Sequence, residues 1–369
     1  MATSNGKKVM IRDATGAVGI EIISLRCWLL AIFLSKRSYS HHHVYWQKGF
    51  DTFWQVTISL FSVEKAAKLD YVFLAVSGEF SLQYAKELAA MPNGPVIIDN
   101  SSAFRRDPKI PLVIPEINGH VLKSKTASRS PNSLPILIAP RLSLPWLSGH
   151  FTASLELSDG AKAFLANEPV TYKVFSYPLP FNLIPHIDKF QENGYTKEEM
   201  KVAWETRKIF DEPSLAVSCT AARIPIMRAH SEALTIETVR PVNLALAREM
   251  LAKADGVDLV DVPEELLYPM PKNATKKFNI EAGRLRKSLV FGDHGLELFV
   301  CGDQLLRGAA LNAVLIAEFL ENPRATPQFS KKPTTCTLSK NQQQTLIGLT
   351  AGVAVSVASL LAFSHFKKN

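Results

Sequence analysis

Along most of the chain, short continuous apolar runs alternate with longer stretches of mixed polarity. Lys8-Val9-Met10-Ile11 reads as a short buried strand, followed by the turn Asp13-Ala14-Thr15-Gly16-Ala17-Val18-Gly19. The apolar run from Ile20 to about Leu34 is then a helix, or a helix running into a strand. Further strand-like runs fall at Tyr71 to Val76, Val96 to Asp99 and Pro111 to Pro115, with a helix-like run at Ser81 to Met91. Alternation of this kind predicts a mostly parallel sheet covered on both faces.

Between about Thr126 and Val174 the periodicity fades, and Pro131, Pro135, Pro140 and Pro145 interrupt the apolar residues. From Tyr195 it returns. Thr196 and Glu199 form a capping-box pattern at the start of a helix reaching Ile209. Val217 to Arg223, Ala233 to Val239 and Gly295 to Cys301 read as strands, Ala245 to Lys253 and Leu305 to Leu320 as helices. No repeat at a fixed period is visible.

Composition changes this picture mainly at the carboxy-terminal end. The chain has 369 residues and a formal charge of +8, but Arg324, Lys331, Lys332, Lys340, Lys367 and Lys368 lie in a stretch without Asp or Glu. The remainder is nearly neutral, which argues against a nucleic-acid groove. Residues 322–344, rich in Pro, Ser, Thr, Lys and Gln, predict a flexible linker. The 19 residues 345–363 carry no formal charge. As a helix they would span roughly 28 Å, close to a bilayer core. They read as a membrane anchor facing the cytoplasm, the alternative being a buried core helix. Gly348 and Gly352 are a weak helix-pairing signal. The opening residues show no cleavable signal.

Four cysteines, Cys27, Cys219, Cys301 and Cys336, are too scattered for a disulfide framework or a metal-ligand set, so a reducing compartment is the default. His41-His42-His43 reads as an exposed loop.

The turn residues Thr15, Gly16, Ala17, Val18 and Gly19 are small enough for a pyrophosphate to approach a helix amino terminus, although Asp13 opposes phosphate. Ser35, Arg37 and Ser38, about twenty residues on, suit a ribose carrying a 2′-phosphate and so favour NADP; the alternative is an ordinary basic turn. His230 near a strand end is either an acid/base or a structural histidine, and only a turn at Pro225 would bring Arg223 to its side.

Taken in order, several motifs resemble the aspartate-semialdehyde dehydrogenases over roughly residues 7 to 321. They are Asp13 to Gly19, Val96 to Arg105, Glu198-Glu199-Met200-Lys201 with Glu205 to Ile209, Arg223 to Glu232, Gly283-Arg284-Leu285-Arg286, and Cys301-Gly302-Asp303-Gln304 through Ala310. The resemblance implies an α/β fold with a Rossmann-type dinucleotide-binding domain over 1–127, completed by helix 305–320. An α+β domain over 128–304 would handle substrate and dimerisation. It also implies NADPH-dependent reductive dephosphorylation of L-aspartyl-4-phosphate on the route to lysine, threonine and methionine, in a homodimer or homotetramer. By matching positions, His230 is the acid/base, Arg223 clamps the substrate carboxylate, Glu198 takes the amine, and Arg105 and Lys201 take the phosphate. Asp303 and Gln304 fall at the nicotinamide half of the cofactor.

One segment departs from the family pattern. The family carries Pro-Asn-Cys where this chain has Pro131-Asn132-Ser133, and residues 127–160 diverge while both flanks match. A hydroxyl is a far poorer nucleophile than a thiolate. The alternative expectation is therefore a catalytically silent, membrane-tethered protein that keeps the dinucleotide fold, or a reading-frame error across those residues.

Overall fold

A computed structural model describes residues 8–12, 17–24, 31–36, 44–48, 52–56, 58–122, 136–138 and 147–321. They form two compact units, one drawn from the chain up to Arg141 and from Leu305 onward, the other running from Leu142 to Gln304. The candidate linker, the candidate membrane helix at 345–363 and the histidine run lie outside the described residues. Among the described residues no helix is long and apolar enough to cross a membrane.

In chain order the first unit contains β1 (Lys8–Arg12), α1 (Ala17–Ser24), β2 (Ala31–Lys36), a hairpin of β3 (Val44–Lys48) and β4 (Thr52–Val56), and β5 (Ile58–Leu60). Then come α2 (Val63–Ala66), β6 (Tyr71–Leu74), α3 (Gly78–Ala90), β7 (Val96–Asp99), α4 (Pro115–Asn118) and β8 (Ile136–Ile138). Six strands make one sheet in the order β5-β2-β1-β6-β7-β8, and every adjacent pair is parallel. The order steps outward from β1 to β5 and then resumes on the other side at β6. That reversal opens the crevice in which doubly wound sheets bind ligands, at the carboxyl ends of β1 and β6.

Both faces of this sheet are covered, so its strands are continuous apolar runs: Val72, Phe73, Leu74, Ile97 and Ile98 are fully buried. Ser77 caps α3 by accepting from the Phe80 amide at 3.5 Å. The expected strand at Pro111 to Pro115 is not one. Pro115 instead opens α4, and Asn118 folds back to accept from the Ile114 amide at 2.8 Å and to donate to the Leu112 carbonyl at 2.8 Å. The helix expected from Leu305 begins as a π-helical turn over Leu306–Ala310 and continues as a regular helix over Leu311–Glu321. The buried Asn100 amide donates to the Ala309 carbonyl at 3.1 Å, and a buried Arg307–Glu116 ion pair ties the same turn to α4. Such partners support the wider turn.

The second unit contains α5 (Leu147–Leu165), α6 (Lys197–Phe210), β9 (His230–Glu237), α7 (Leu244–Lys253), β10 (Val257–Leu259), α8 (Pro271–Ala274), β11 (Ile280–Ser288) and β12 (Gly292–Gly302). Its sheet runs β10-β11-β12-β9, parallel in the first pair and antiparallel in the others. The expected strand at Val217 to Arg223 reduces to one antiparallel bridge between Arg223 and Ile184. Gly283 is required by close packing, because a Cβ there would lie 2.1 Å from the Val260 carbonyl oxygen.

Candidate active-site residues in two units

In the first unit, β1, α1 and β2 carry the candidate cofactor positions. Val18 and Gly19 are buried in the first turn of α1, which carries no acidic residue to compete with a phosphate. Ser35 lies abreast of Arg12 at the carboxyl end of β2, with Lys36 beside it. By residue type alone, a glycine in this turn with a serine and a lysine at the end of β2 is compatible with the phosphates and ribose of a dinucleotide. Thr15, Gly16, Arg37, Ser38 and Asp13 lie outside the described residues, as does Ser133.

Arg105 follows β7 in a turn organised by Asp99. The Asp99 carboxylate accepts from the Ser101 amide at 2.7 Å, the Ser101 hydroxyl at 2.9 Å and the Ser81 hydroxyl at 3.1 Å. Burial pushes its pKa up against those donors and the nearby Arg105 charge. Arg105 is buried, its Nε donating to the Ser101 carbonyl at 3.0 Å and its Nη2 to the Asn100 carbonyl at 3.1 Å. Two fixed carbonyls thus hold one edge of the guanidinium in place.

In the second unit, the first turn of α6 is fixed by its capping box. Thr196 Oγ1 accepts from the Glu199 amide at 3.3 Å while Glu199 Oε2 accepts from the Thr196 amide at 2.6 Å. The other Glu199 oxygen accepts from the Ala221 amide at 2.8 Å, which fastens the segment leading to Arg223 onto the helix start. Burial works to raise the Glu199 carboxyl, but the Thr196 and Ala221 amides outweigh it and hold it below its ordinary value.

One turn apart on α6, Glu198 and Lys201 share a face and pair at 2.8 Å. Asp188 joins them, its Oδ2 lying 3.7 Å from Lys201 Nζ. Arg223 is held through its backbone, donating to Ile184 at 2.8 Å and accepting from it at 3.0 Å. Its guanidinium lies over the Phe175 ring, 5.5 Å from the centroid. Burial lowers its pKa, opposed by the charges of Glu198 and Asp188. Phe175 is placed in turn by Glu156, whose carboxylate accepts from the consecutive amides of Lys173, Val174 and Phe175 at 2.6, 2.8 and 3.1 Å.

His230 opens β9, opposite Gly302 on β12. Just before it, Ala229 adopts the left-handed region at φ 75, and its amide donates to Gln304 Oε1 at 2.9 Å. Asp303, fully buried, accepts from Arg228 Nε at 2.5 Å and from the Lys276 amide at 2.6 Å. Asp303 and Gln304 therefore clamp the two residues that deliver His230. Glu232 lies two positions along β9 from His230, on the same face, and burial pushes its carboxyl up to about 7.

Two of the four cysteines fall within the described residues. Burial first, then Glu199, Glu232 and Glu198, push the Cys219 thiol up to about 11. Burial pushes Cys301 up to about 12 although Ser231 opposes it. Neither thiol is activated.

Comparison with known proteins meets this geometry. Residues 8–125 match the family model described as semialdehyde dehydrogenase, NAD binding domain, and residues 149–307 match the one described as semialdehyde dehydrogenase, dimerisation domain. An aspartate-semialdehyde dehydrogenase of Synechocystis sp. is 36% identical over 339 residues, covering 85% of this chain and 97% of that one. The chain belongs to the aspartate-semialdehyde dehydrogenase family. A relative of the same name from Aquifex aeolicus is 34% identical, over 85% of this chain and 98% of its own. Among solved structures, aspartate-semialdehyde dehydrogenase II from Vibrio cholerae, described as complexed with ASA, superposes with a TM-score of 0.73 at 30% identity, covering 87% of this chain and 100% of that one. The Candida albicans enzyme with NADP, at 18% identity and a TM-score of 0.60 over 86% of this chain and 99% of that one, shares the fold.

For an aspartate-semialdehyde dehydrogenase, the sequence motifs named most of the polar groups gathered around α6. The second unit brings together Glu198, Lys201 and Arg223, and adds Asp188, Phe175 and Glu156, none of which the motifs singled out. Asp188 left one local trace, an Asp followed by Lys in a loop before a capping box, but nothing in that pattern points to its carboxylate meeting Lys201.

Proposed function

We propose that this chain carries out the NADPH-dependent reductive dephosphorylation of L-aspartyl-4-phosphate to aspartate semialdehyde and phosphate, at a rate restrained by Ser133. The observation that carries this reading is the grouping of Glu198, Lys201 and Asp188 with the stacked Arg223 in one unit. Such a set complements a small substrate bearing an ammonium, a carboxylate and a phosphate.

In this reading Arg223 forks onto the α-carboxylate, its plane fixed by Phe175, and Glu198 accepts from the α-ammonium. Lys201 is the cation for the phosphate, a role that family analogy also gives to Arg105. His230 exchanges the proton required at the reacting carbonyl, with Asp303 and Gln304 as positioning residues behind it. Thr15 to Gly19, Ser35, Arg37 and Ser38 hold the dinucleotide, Asp303 and Gln304 standing near its nicotinamide half by family analogy. Bound NADPH supplies a hydride to the acyl carbon.

The nucleophile position belongs to Ser133, whose hydroxyl needs an aligned base where a thiolate would not. Neither Cys219 nor Cys301 takes its place, since both thiols are raised well above neutrality. A second reading rests on the same residue: a silent protein that binds dinucleotide and phosphate without turnover. The test supplies semialdehyde, phosphate and NADP⁺ and follows NADPH. Turnover abolished by His230→Ala supports the first reading; binding without turnover in both the chain as it stands and Ser133→Cys supports the second.

The biosynthesis of lysine, threonine and methionine is the pathway this product would feed. The match to a dimerisation domain supports a homodimer as the working form, and a homotetramer would pair two of them. Residues 345–363 would tether a cytoplasm-facing enzyme to a membrane; release of the full chain by alkaline carbonate would reject the tether.

A further inference from the structure

Resting on the assignment of Lys201 to the phosphate, we infer that Asp188 is a specificity-determining residue that weakens the hold of this site on phosphate, so that the dianion leaves once the acyl group has moved on. The geometry separates its role from that of Glu198. Glu198 Oε2 lies 2.8 Å from Lys201 Nζ and makes the hydrogen bond that places the ammonium, whereas Asp188 Oδ2 stands 3.7 Å away, too far for one. Asp188 thus contributes charge rather than position.

Its carboxylate is also fixed from behind. Asp188 sits in the left-handed region at φ 68, which Asp and Asn tolerate better than other side chains, and its Oδ1 accepts from the Lys189 amide at 2.8 Å. The next residues are fastened to the start of α6, with the Lys197 amide donating to the Lys189 carbonyl at 2.8 Å and Phe190 bridged to Thr196. A carboxylate so anchored does not swing aside when an anion arrives.

Charge balance states the consequence. Before substrate binds, the carboxylates of Glu198 and Asp188 stand against the cations of Lys201 and Arg223. The substrate ammonium engages Glu198 and its carboxylate engages Arg223. What the second unit then offers the phosphate is Lys201 with Asp188 beside it, a cation whose field is partly cancelled. Removing one negative charge at this range, in a partly solvated pocket, is expected to tighten phosphate binding by about three- to tenfold.

Equilibrium titration of the full chain with inorganic phosphate, followed by calorimetry, tests this without requiring turnover. Asp188→Asn keeps both the left-handed backbone and the acceptor for the Lys189 amide, and Asp188→Gly keeps the backbone alone. Both are expected to bind phosphate about three- to tenfold more tightly than the parent, with a steeper loss on adding salt, a gain that structural damage does not produce. Lys201→Met is expected to lose phosphate binding in either background. Equal or weaker binding in both Asp188 variants, with binding still lost in Lys201→Met, would overturn the inference. Undiminished binding in Lys201→Met would instead remove the assignment of Lys201 and the inference with it.

Discussion

Arg223 shows how one side chain is prepared for its task. Its backbone is bridged to Ile184, its guanidinium faces Phe175, and Glu198 and Asp188 offset its burial. Arg223→Lys keeps the charge but not the planar fork, so the KM for semialdehyde should rise by on the order of tenfold or more with kcat changed far less. Steady-state kinetics in the Ser133→Cys background measures both. Glu232 supplies a pH prediction. Its folded pKa, about 7, lies above the ordinary value of 4.5, so the folded state binds the extra proton between those values and stability falls as pH rises through that window. Glu232→Gln should therefore stabilise the chain by about 1–2 kcal/mol above pH 7 and have little effect below pH ~4. Denaturant titrations at pH 4 and pH 8 check this. At this scale the sequence was most legible, because His230, Glu198, Lys201 and Arg223 sit in motifs. The supporting groups Asp188, Phe175 and Glu156 come from loops without periodicity, and only folding brings them to their partners.

Elements differ in how openly the sequence declared them. The parallel strands β6 and β7 are uninterrupted apolar runs because both faces are covered, and the capping box of α6 was written in Thr196 and Glu199. β11 carried no such signal: Arg284, Arg286 and Lys287 are exposed on it, and its register shifts between Gly283 and Arg286. α5 was hidden by Gly149, Gly160 and several hydroxyl residues, which lower helix propensity. The strand read into Val217 to Arg223 fails because its backbone is spent on Glu199 and Ile184 instead of a sheet partner. Two changes probe the elements directly. Gly283→Ala forces a Cβ against the Val260 carbonyl and should cost about 3 kcal/mol or more, read as a lowered denaturation midpoint. Gln304→Ala removes the acceptor that holds Ala229 in the left-handed region. It should lower kcat on the order of tenfold, with KM for phosphate nearly unchanged, by loosening His230.

For the whole molecule, alternation implied a mostly parallel sheet and the resemblance an α+β second unit, whereas the order β5-β2-β1-β6-β7-β8 and the mixed four-stranded sheet were not legible, because strand pairing joins residues far apart in the chain; Ser133 and the tail lie outside the described residues. The proposed function then turns on the exchange of oxygen for sulfur at Ser133, beside a second unit that gathers Glu198, Lys201 and Arg223. The most direct measurement compares NADPH formation from semialdehyde, phosphate and NADP⁺ by the chain as it stands and by Ser133→Cys. Turnover higher in Ser133→Cys by on the order of a hundredfold or more, and lost again on adding His230→Ala, is the predicted result. Equal rates in the chain as it stands and in Ser133→Cys, whether both fast or both absent, would contradict it.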